Sequence, residues 1–244
     1  MLLPEQEGRS WFRVLSASAC KIRGRPVKFA DLRAEVRRWG WARILFKGAM
    51  ALLRKYAGLH LYRVNLRFLD RYPPAPILPE GIRVCLVPPE KLSESAEDPE
   101  LEMDPEFVRA AIARGDLAFG VLKGERLVSY AWRTFSAAPD RDGLWVKVDP
   151  PYHYAYKAFT LPAYRGKRLH VAVSLLCDDY FRARGYAGEV GYNEVTNFPI
   201  AAAAKYLGRR RIGFAGYLKW FGRRIPFRTP ALKKIGFEIF EPRQ

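Results

Sequence analysis

The stretch Pro162-Ala163-Tyr164-Arg165-Gly166-Lys167-Arg168-Leu169-His170 lies at the junction that decides the fold. The aromatic-rich segment before it, residues 152–161, predicts a strand. After it, apolar residues recur with helical spacing from Leu169 to Tyr180, and Gly185 is a stop signal, which predicts a helix over residues 169–184. A basic run at such a junction is by itself most often a solvated turn. Its meaning therefore depends on the elements around it.

Strands and helices continue on both sides of this junction. Residues 116–123 and 126–135 flank Gly124-Glu125, which predicts a two-stranded hairpin. Further strands are predicted over residues 82–87, 187–192, 211–221 and from 225 onward, and further helices over residues 105–114 and 197–207. The last two strands are expected to turn at Gly222-Arg223.

This order of elements, with Arg165-Gly166-Lys167, Asn197 and Leu207-Gly208 at their positions in it, resembles the Gcn5-related N-acetyltransferase (GNAT) superfamily over roughly residues 80–228. The resemblance implies an α/β (α+β) fold of the GNAT-like acyl-CoA N-acyltransferase type, with a mixed central sheet flanked by helices. It also implies that the loop wraps the pyrophosphate of the donor at a helix N-terminus. The donor-binding residues are then Phe159, Leu161, Arg165, Gly166, Lys167, Arg168, Leu169, His170 and Asn197.

Three features depart from the family pattern. Glycines usually occupy the positions of Arg168 and His170, so these side chains are expected to point outward or to contact phosphate themselves. A tyrosine that is proposed to protonate the leaving thiolate often occupies the position of Ala204. Tyr206 lies about 200° further around that helix and is not expected to replace it. The third departure is the N-terminal segment, which the minimal fold does not require.

The resemblance implies acyl transfer from a thioester to an amine, which needs a base and hydrogen-bond donors for the thioester oxygen. The catalytic candidates near the middle strands are His153, Tyr154, Glu189, Asn193 and Glu194. His153 is favoured as the base because imidazole titrates near neutral pH. A packed strand histidine is the alternative. By alternation Tyr152, Tyr154 and Tyr156 share one strand face, which lines either an acceptor pocket or the core.

Charge is distributed unevenly along the 244 residues. The 42 Lys and Arg residues exceed the 25 Asp and Glu residues by 17, and residues 1–72 and 141–244 each carry a net charge of +11 while residues 73–140 carry −5. Four prolines at the start of the acidic segment predict a linker over residues 73–80. The expected organisation is therefore a basic amphipathic appendage (1–72), the linker, and a GNAT-like domain (81–244).

The appendage contains a predicted amphipathic helix from Asp31, as a cap, to Tyr56, followed by a stop signal at Gly58. Its basic stripe consists of Arg43, Lys47 and Arg54, and its apolar side of Leu45, Phe46, Ala49, Leu52, Leu53 and Tyr56. Two interpretations remain open. The helix lies on an anionic membrane, or its apolar face packs on the domain. A strand or extended segment is predicted over residues 59–69.

The resemblance implies an N-acyltransferase whose donor is acyl-CoA or acyl carrier protein and whose acceptor is an amine. The basic charge, the amphipathic helix and Ala204 favour a lipid-like or amino-acid acceptor and a bacterial long-chain N-acyltransferase branch as the finer expectation. An acetyl-CoA-dependent acetyltransferase of a sugar or small amine is one alternative. A non-enzymatic protein that binds nucleic acid or membrane is the other, based on Arg209-Arg210-Arg211, Arg223-Arg224, Trp220, Phe221 and Phe227.

Metal binding and secretion are not expected from the sequence. The three histidines and three cysteines, Cys20, Cys85 and Cys177, are scattered without metal-ligand spacing or a paired framework. The N-terminus lacks the pattern of a signal peptide. We therefore expect a metal-free cytoplasmic protein, with a peripheral position on the inner membrane face as the refinement of that location.

Overall fold

The computed structural model describes residues 29–70 and 74–242. Cys20, the rest of residues 1–28 and Pro73 lie outside the described residues. The first elements are helices α1 (Phe29–Trp39) and α2 (Trp41–Ala57). The prediction of a single helix that begins at Asp31 is wrong in two respects. Asp31 lies inside α1, and Gly40, with φ of 81°, interrupts the helix between α1 and α2. The predicted stop is correct, because Gly58 adopts φ of 62° and donates its N–H to the Leu53 carbonyl.

The remaining elements agree with the predicted order and add to it. The strands are β1 (Leu59–Phe68), β2 (Ile82–Leu86), β3 (Leu117–Lys123), β4 (Arg126–Thr134), β5 (Ala137–Pro139), β6 (Trp145–Lys147), β7 (Tyr152–Thr160), β8 (Gly188–Glu194), β9 (Arg210–Trp220), β10 (Arg223–Arg228) and β11 (Glu238–Phe240). The helices are α3 (Pro89–Ser95), α4 (Pro105–Ala113), α5 (Leu169–Arg182), α6 (Phe198–Tyr206) and α7 (Pro230–Lys233). The sequence did not predict α3, or β5 and β6, which form a small sheet with β11.

One large sheet with helices on both faces organises the described chain. Its strand order is β10-β9-β1-β8-β7-β4-β3-β2, and every pair is antiparallel except β7 and β8. Helix α5 packs on β2, β3 and β4 from one side. From the other side, Phe107 of α4 contacts Trp132 and Tyr156. The expected mixed central sheet flanked by helices is therefore confirmed.

Strand β1 lies in the middle of this sheet, although it precedes the prolines. It pairs with β8 from Tyr62 opposite Glu194 to Phe68 opposite Gly188, and with β9 on its other side. Its side chains Tyr62, Val64 and Leu66 are buried in the core. A boundary at residues 73–80 therefore does not separate residues 59–68 from the sheet of the expected domain.

The ladder between the two parallel strands is short. It comprises three residue pairs and ends at Tyr154 opposite Val190, although β7 and β8 both continue. Further along β7 the register with β4 shifts, so that Lys157 is left over as a bulge with φ of 35°. The sheet is therefore locally opened at β7. This strand leads into the loop of residues 161–168, which we call the Arg165 loop.

Candidate functional site

The Arg165 loop follows β7 and ends at the start of α5. A 3₁₀ turn over Pro162–Tyr164 is followed by Gly166, with φ of 79°, and by Arg168, with φ of 54° and ψ of 23°. Helix α5 then begins at Leu169. Because the first N–H groups of a helix have no acceptor within it and the helix dipole is positive there, this end of α5 favours an anion.

A pocket of about 350 Å³ opens at this end of α5. It is lined by Thr160, Tyr164, Arg165, Gly166, Arg168, Leu169, His170, Val171, Tyr206 and Leu207. Five of the predicted donor-binding residues, Arg165, Gly166, Arg168, Leu169 and His170, are therefore brought together around one cavity. Lys167 lines the neighbouring hollow with Tyr164 and Lys123.

The basic side chains of the loop are held in place by aromatic rings and backbone. Arg165 donates from Nε to the Thr160 carbonyl at 3.0 Å, and its guanidinium lies 5.7 Å from the centre of the Phe159 ring. The Lys167 ammonium lies 5.1 Å from the Tyr164 ring centre. These contacts leave further N–H groups of both residues to bind oxygens of an anionic ligand.

Arg168 and His170, at the two positions where the resemblance leads us to expect glycines, fit the loop differently. Arg168 adopts the left-handed backbone conformation that glycine favours, and its exposed side chain donates from Nη1 to the Tyr206 hydroxyl at 3.2 Å. His170 is half-buried, and burial, with Arg209 and Arg133 nearby, lowers its pKa to about 3. At neutral pH His170 is thus uncharged, and the positive charge at the pocket comes from the arginines.

Tyr206 lines the pocket, although helix geometry does not lead us to expect it there. Its ring lies 5.1 Å from the Arg168 guanidinium, and its hydroxyl accepts the hydrogen bond from that side chain. Ala204, at the family's tyrosine position, is buried. The helical angle alone predicts that Tyr206 points away from the site. The left-handed conformation of Arg168 nevertheless places its guanidinium within hydrogen-bond distance of the Tyr206 hydroxyl.

The remaining donor-binding candidates are close to the pocket or apart from it. Phe159 contacts Arg165 as described, and Leu161 is buried in the core. Asn197 precedes α6, and its Oδ1 accepts the Ile200 N–H at 3.3 Å. Asn197 is not among the residues that line the pocket, so the structure gives it a helix-capping role.

Glu189 lies in a buried cluster of charges beneath α5. Its Oε2 contacts Arg133 Nε at 2.6 Å. Its Oε1 contacts Arg209 Nη2, and Arg67 Nη2 at 3.4 Å. Arg67 also forms a two-pronged pair with Asp178 of α5, with Nη2 to Oδ1 at 2.6 Å. Burial opposes ionisation of Glu189, but the three arginines hold its pKa well below its ordinary value. The prediction that Glu189 is a general base is therefore not supported: the carboxylate is buried away from solvent and forms ion pairs with three arginines.

His153 is also inaccessible. Its ring is fully buried and stacks on Phe181 of α5, with 3.7 Å between ring centres. Nε2 lies 3.7 Å from Glu189 Oε2, and neither ring nitrogen has a partner at hydrogen-bond distance. Burial lowers the pKa of His153 to about 4. The structure favours the packed strand histidine, the alternative given above, over the general base.

The other three catalytic candidates differ in exposure. Tyr154 is buried, its ring is stacked 6.0 Å from that of Tyr192, and burial raises its pKa well above the ordinary value. Asn193 is buried and accepts a hydrogen bond from Asn65 at 3.1 Å. Glu194 ends β8 with its side chain 29% exposed and accepts from Arg141 Nη1 at 2.5 Å. Glu194 is thus the one member of the five with a carboxylate that solvent can reach.

A cationic group that the sequence argument missed is Lys157, the bulge residue. Its ammonium lies 3.8 Å from the Phe107 ring centre, and burial lowers its pKa to about 8, with Asp104 and Glu102 acting in the opposite direction. A bulge cannot be read from a periodic strand pattern, so no signal in the sequence marks this residue.

We expect His153 and His170 to make the protein acid-sensitive. The folded state holds the pKa of His153 at about 4, against 6.5 for an unperturbed histidine, so the unfolded chain binds the proton first as pH falls. Stability from this group is complete above pH 6.5 and declines toward pH 4, by about 3 kcal/mol. His170 acts in the same direction. Asp178, whose pKa burial raises to about 6, acts in the opposite one.

Urea unfolding between pH 7 and 4 tests this expectation. His153→Phe keeps a ring stacked on Phe181 but removes the titrating group, so its unfolding free energy should fall less with acid than that of the wild type. Equal pH dependence of the two proteins would contradict the assignment.

Metal sites and membrane spans are absent from the part of the chain that the structure describes. Residues 29–70 and 74–242 contain no group of three or more His, Cys, Asp or Glu side chains placed to hold a metal ion. Within the same ranges, no helix combines the length and hydropathy needed to cross a bilayer.

Comparisons with known proteins give similarity to solved structures alone, since no family model and no curated protein matches the sequence. A tandem GNAT protein from the clavulanic acid biosynthesis pathway is 19% identical, with 74% of this chain and 58% of that chain covered and a TM-score of 0.45. A GCN5-related N-acetyltransferase from Sphaerobacter thermophilus is 13% identical, with 76% and 57% covered and a TM-score of 0.47. An aminoglycoside 6′-N-acetyltransferase from Acinetobacter baumannii is 14% identical, with 52% and 90% covered and a TM-score of 0.41. This chain spans less than two thirds of the length of the first two.

Proposed function

We propose that this chain is a GNAT-type N-acyltransferase that binds the pyrophosphate of an acyl-thioester donor in the pocket at the start of α5. The observation that carries the proposal is that one cavity combines the N-terminus of α5, the Gly166 turn, and the Arg165 and Arg168 side chains. Pyrophosphate is a compact dianion, and backbone N–H groups with two guanidinium groups match its charge and its acceptors. The pocket is thus suited to acyl-CoA as co-substrate.

An acyl carrier protein is the second donor that we propose for the same site. Carrier proteins are acidic, and the exposed basic residues Arg168, which lines the pocket, and Lys167, which lines the neighbouring cavity, form a basic rim. Complementary charge of this kind speeds the encounter of two proteins and orients them. Acyl-CoA needs the pocket alone, whereas a carrier protein would also need the rim.

For the chemistry we propose Glu194 as the general base. In acyl transfer the amine nitrogen attacks the thioester carbonyl, the C–N bond forms and the C–S bond breaks. A base takes the proton of the amine, and the sulfur leaves as a thiolate that takes up a proton. Glu194 lies on the strand where the β7–β8 ladder opens and is accessible, which supports this role. Ala204 supplies no acid at the family's tyrosine position, so the leaving thiolate is expected to be protonated by water or another group.

For the acceptor we propose a lipid-like amine or amino acid, with a long-chain acyl group on the donor and a peripheral position at the inner membrane face. Two features support this choice. One is the amphipathic helix α2, and the other is the small side chain of Ala204 at the position where the family often has a tyrosine. The nucleic-acid alternative loses part of its basis, because Arg209 is paired with Glu189 inside the protein and Arg209-Arg210-Arg211 is not an exposed run. Acetyl transfer to a small amine is distinguished by the substrate that reacts.

We expect acyl-CoA to raise the melting temperature of the protein and, with an amine acceptor, to release free thiol. Acetyl-, decanoyl- and palmitoyl-CoA, and the corresponding acyl carrier proteins, should be compared with amino acids, a sphingoid base and an aminoglycoside. Glu194→Gln should keep the thermal shift and reduce thiol release by about a hundredfold, because donor binding is retained and the base is lost. If no donor shifts the melting temperature, the proposed function is wrong; if donors bind but Glu194→Gln reacts normally, only the base assignment is wrong.

A further inference from the structure

The apolar side of α2 is exposed among the residues that the structure describes, along a helix of 17 residues. None of its 17 residues is buried. Trp41, Leu45, Leu52 and Tyr56 are 58–75% exposed, and their spacing of four, seven and four residues places them along one stripe. The interpretation in which this side packs on the domain is therefore wrong. In water, such a stripe costs free energy unless something covers it.

The basic side of α2 contacts the rest of the protein instead. Lys47 forms an ion pair with Glu35 of α1 at 2.9 Å, and the Arg43 guanidinium lies 5.5 Å from the ring centre of Phe198 in α6. Arg54 lies 3.8 Å from Glu194. These contacts hold the helix with its polar side toward the fold and its apolar stripe outward.

A second exposed apolar group begins where α2 ends. Lys219 donates its N–H to the Gly58 carbonyl at 3.0 Å, so the turn between β9 and β10 lies beside the end of the helix. At this turn Trp220 is 57% and Phe221 is 90% exposed. Phe221 has φ of 43°, a conformation that favours glycine or asparagine, so its presence there costs backbone strain and gains no burial in the fold.

Basic residues accompany both apolar groups. Lys55 is exposed next to Tyr56, and Arg223 is exposed beside the aromatic turn. Lys219, on the other side of the turn, is paired with Asp142 at 2.8 Å. Tryptophan and tyrosine with lysine and arginine are the residues that settle at the headgroup level of a bilayer. A second copy of the chain is a poorer partner, because a two-fold interface would bring the same positive charges against each other. Anionic lipid neutralises them, at about 1 kcal/mol for each basic residue near the surface.

We propose that α2 and the β9–β10 turn together form a docking surface for an anionic lipid bilayer. The stripe Trp41, Leu45, Leu52 and Tyr56 and the tip residues Trp220 and Phe221 enter the headgroup region. Lys55 and Arg223 bind lipid phosphates around them. This surface deepens the membrane position proposed above. It shares no residue with the pocket at α5, so vesicle binding needs no acyl donor and can fail while donor binding succeeds.

The test is co-sedimentation of the full chain with vesicles of phosphatidylglycerol and phosphatidylcholine, and with vesicles of phosphatidylcholine alone. We expect binding to the anionic vesicles that weakens as salt is raised. Leu45→Glu/Leu52→Glu and Trp220→Ser/Phe221→Ser should each lower the partition coefficient by about tenfold or more. The matched control is Ile77→Glu, at a 98% exposed apolar residue outside the surface, which should bind like the wild type.

Melting temperatures of all variants verify that they are folded, and the mutated side chains are exposed, so little change is expected. The proposal is overturned if the wild type stays in the supernatant with anionic vesicles, or if both double variants sediment as well as the wild type. A wild type that fails to bind lipid and whose dimer becomes a monomer in Leu45→Glu/Leu52→Glu would assign the stripe to a second copy.

Discussion

Glu189→Gln is expected to lower the free energy of unfolding by about 3–5 kcal/mol, since removing one partner from a buried ion cluster leaves the others uncompensated. Arg133 and Arg209 both depend on this carboxylate, whereas Arg67 retains Asp178. For a chain of this size the loss corresponds to a fall in melting temperature of roughly 10–15 °C.

Thermal and urea unfolding of the full chain measure this effect. The matched control is Glu35→Gln, which removes the same charge from the exposed pair with Lys47 and should cost less than about 1 kcal/mol. If Glu189→Gln unfolds during expression, Glu189→Gln/Arg133→Met, which also removes one of the unpaired guanidiniums, should recover part of the loss. A Glu189→Gln protein as stable as the control would contradict the structural role and return Glu189 to the list of catalytic candidates.

Arg165→Ala/Lys167→Ala is expected to raise the donor KM by tens of fold or more with a smaller change in kcat. Charge-assisted hydrogen bonds contribute about 1.5–3 kcal/mol each, and both side chains lie at the loop where the phosphates are proposed to bind. Arg109→Ala/Lys233→Ala removes two exposed positive charges elsewhere and should leave the donor KM unchanged.

Steady-state kinetics with the donor that gives the largest thermal shift provide this measurement. If the KM of Arg165→Ala/Lys167→Ala equals that of Arg109→Ala/Lys233→Ala, the donor does not bind at this loop. An equal rise in both variants would indicate a general effect of net charge rather than a phosphate site.

The loop and its neighbouring elements could be predicted because their signals are local. Strand alternation, helical spacing and glycine stop signals each span fewer than about 20 residues, and they placed the Arg165 loop between a strand and a helix. The break at Gly40 was missed because the apolar pattern runs through it. Only the backbone conformation shows that the helices on the two sides of Gly40 are not continuous.

The chemistry of the charged residues could not be predicted, because it depends on which of them the fold buries. Glu189 resembles an accessible acid on a strand until Arg67 and Arg133 arrive from two other strands. His153 changes from a candidate base to a core ring when Phe181 stacks on it. Arg209 belongs to a run of three arginines in the sequence. It differs from the other two because it pairs with Glu189, 20 positions earlier in the chain.

The central position of β1 has a consequence for how the chain folds. Its partners lie in β8 and β9, at least 120 residues further along, so the entropy of closing a long loop must be overcome before this strand pairs with either of them. During synthesis β1 therefore stays unpaired until the residues of β8, Gly188–Glu194, have been made. A fragment that starts after the prolines would expose the edges of both partner strands, and we expect it to aggregate rather than fold as an independent domain.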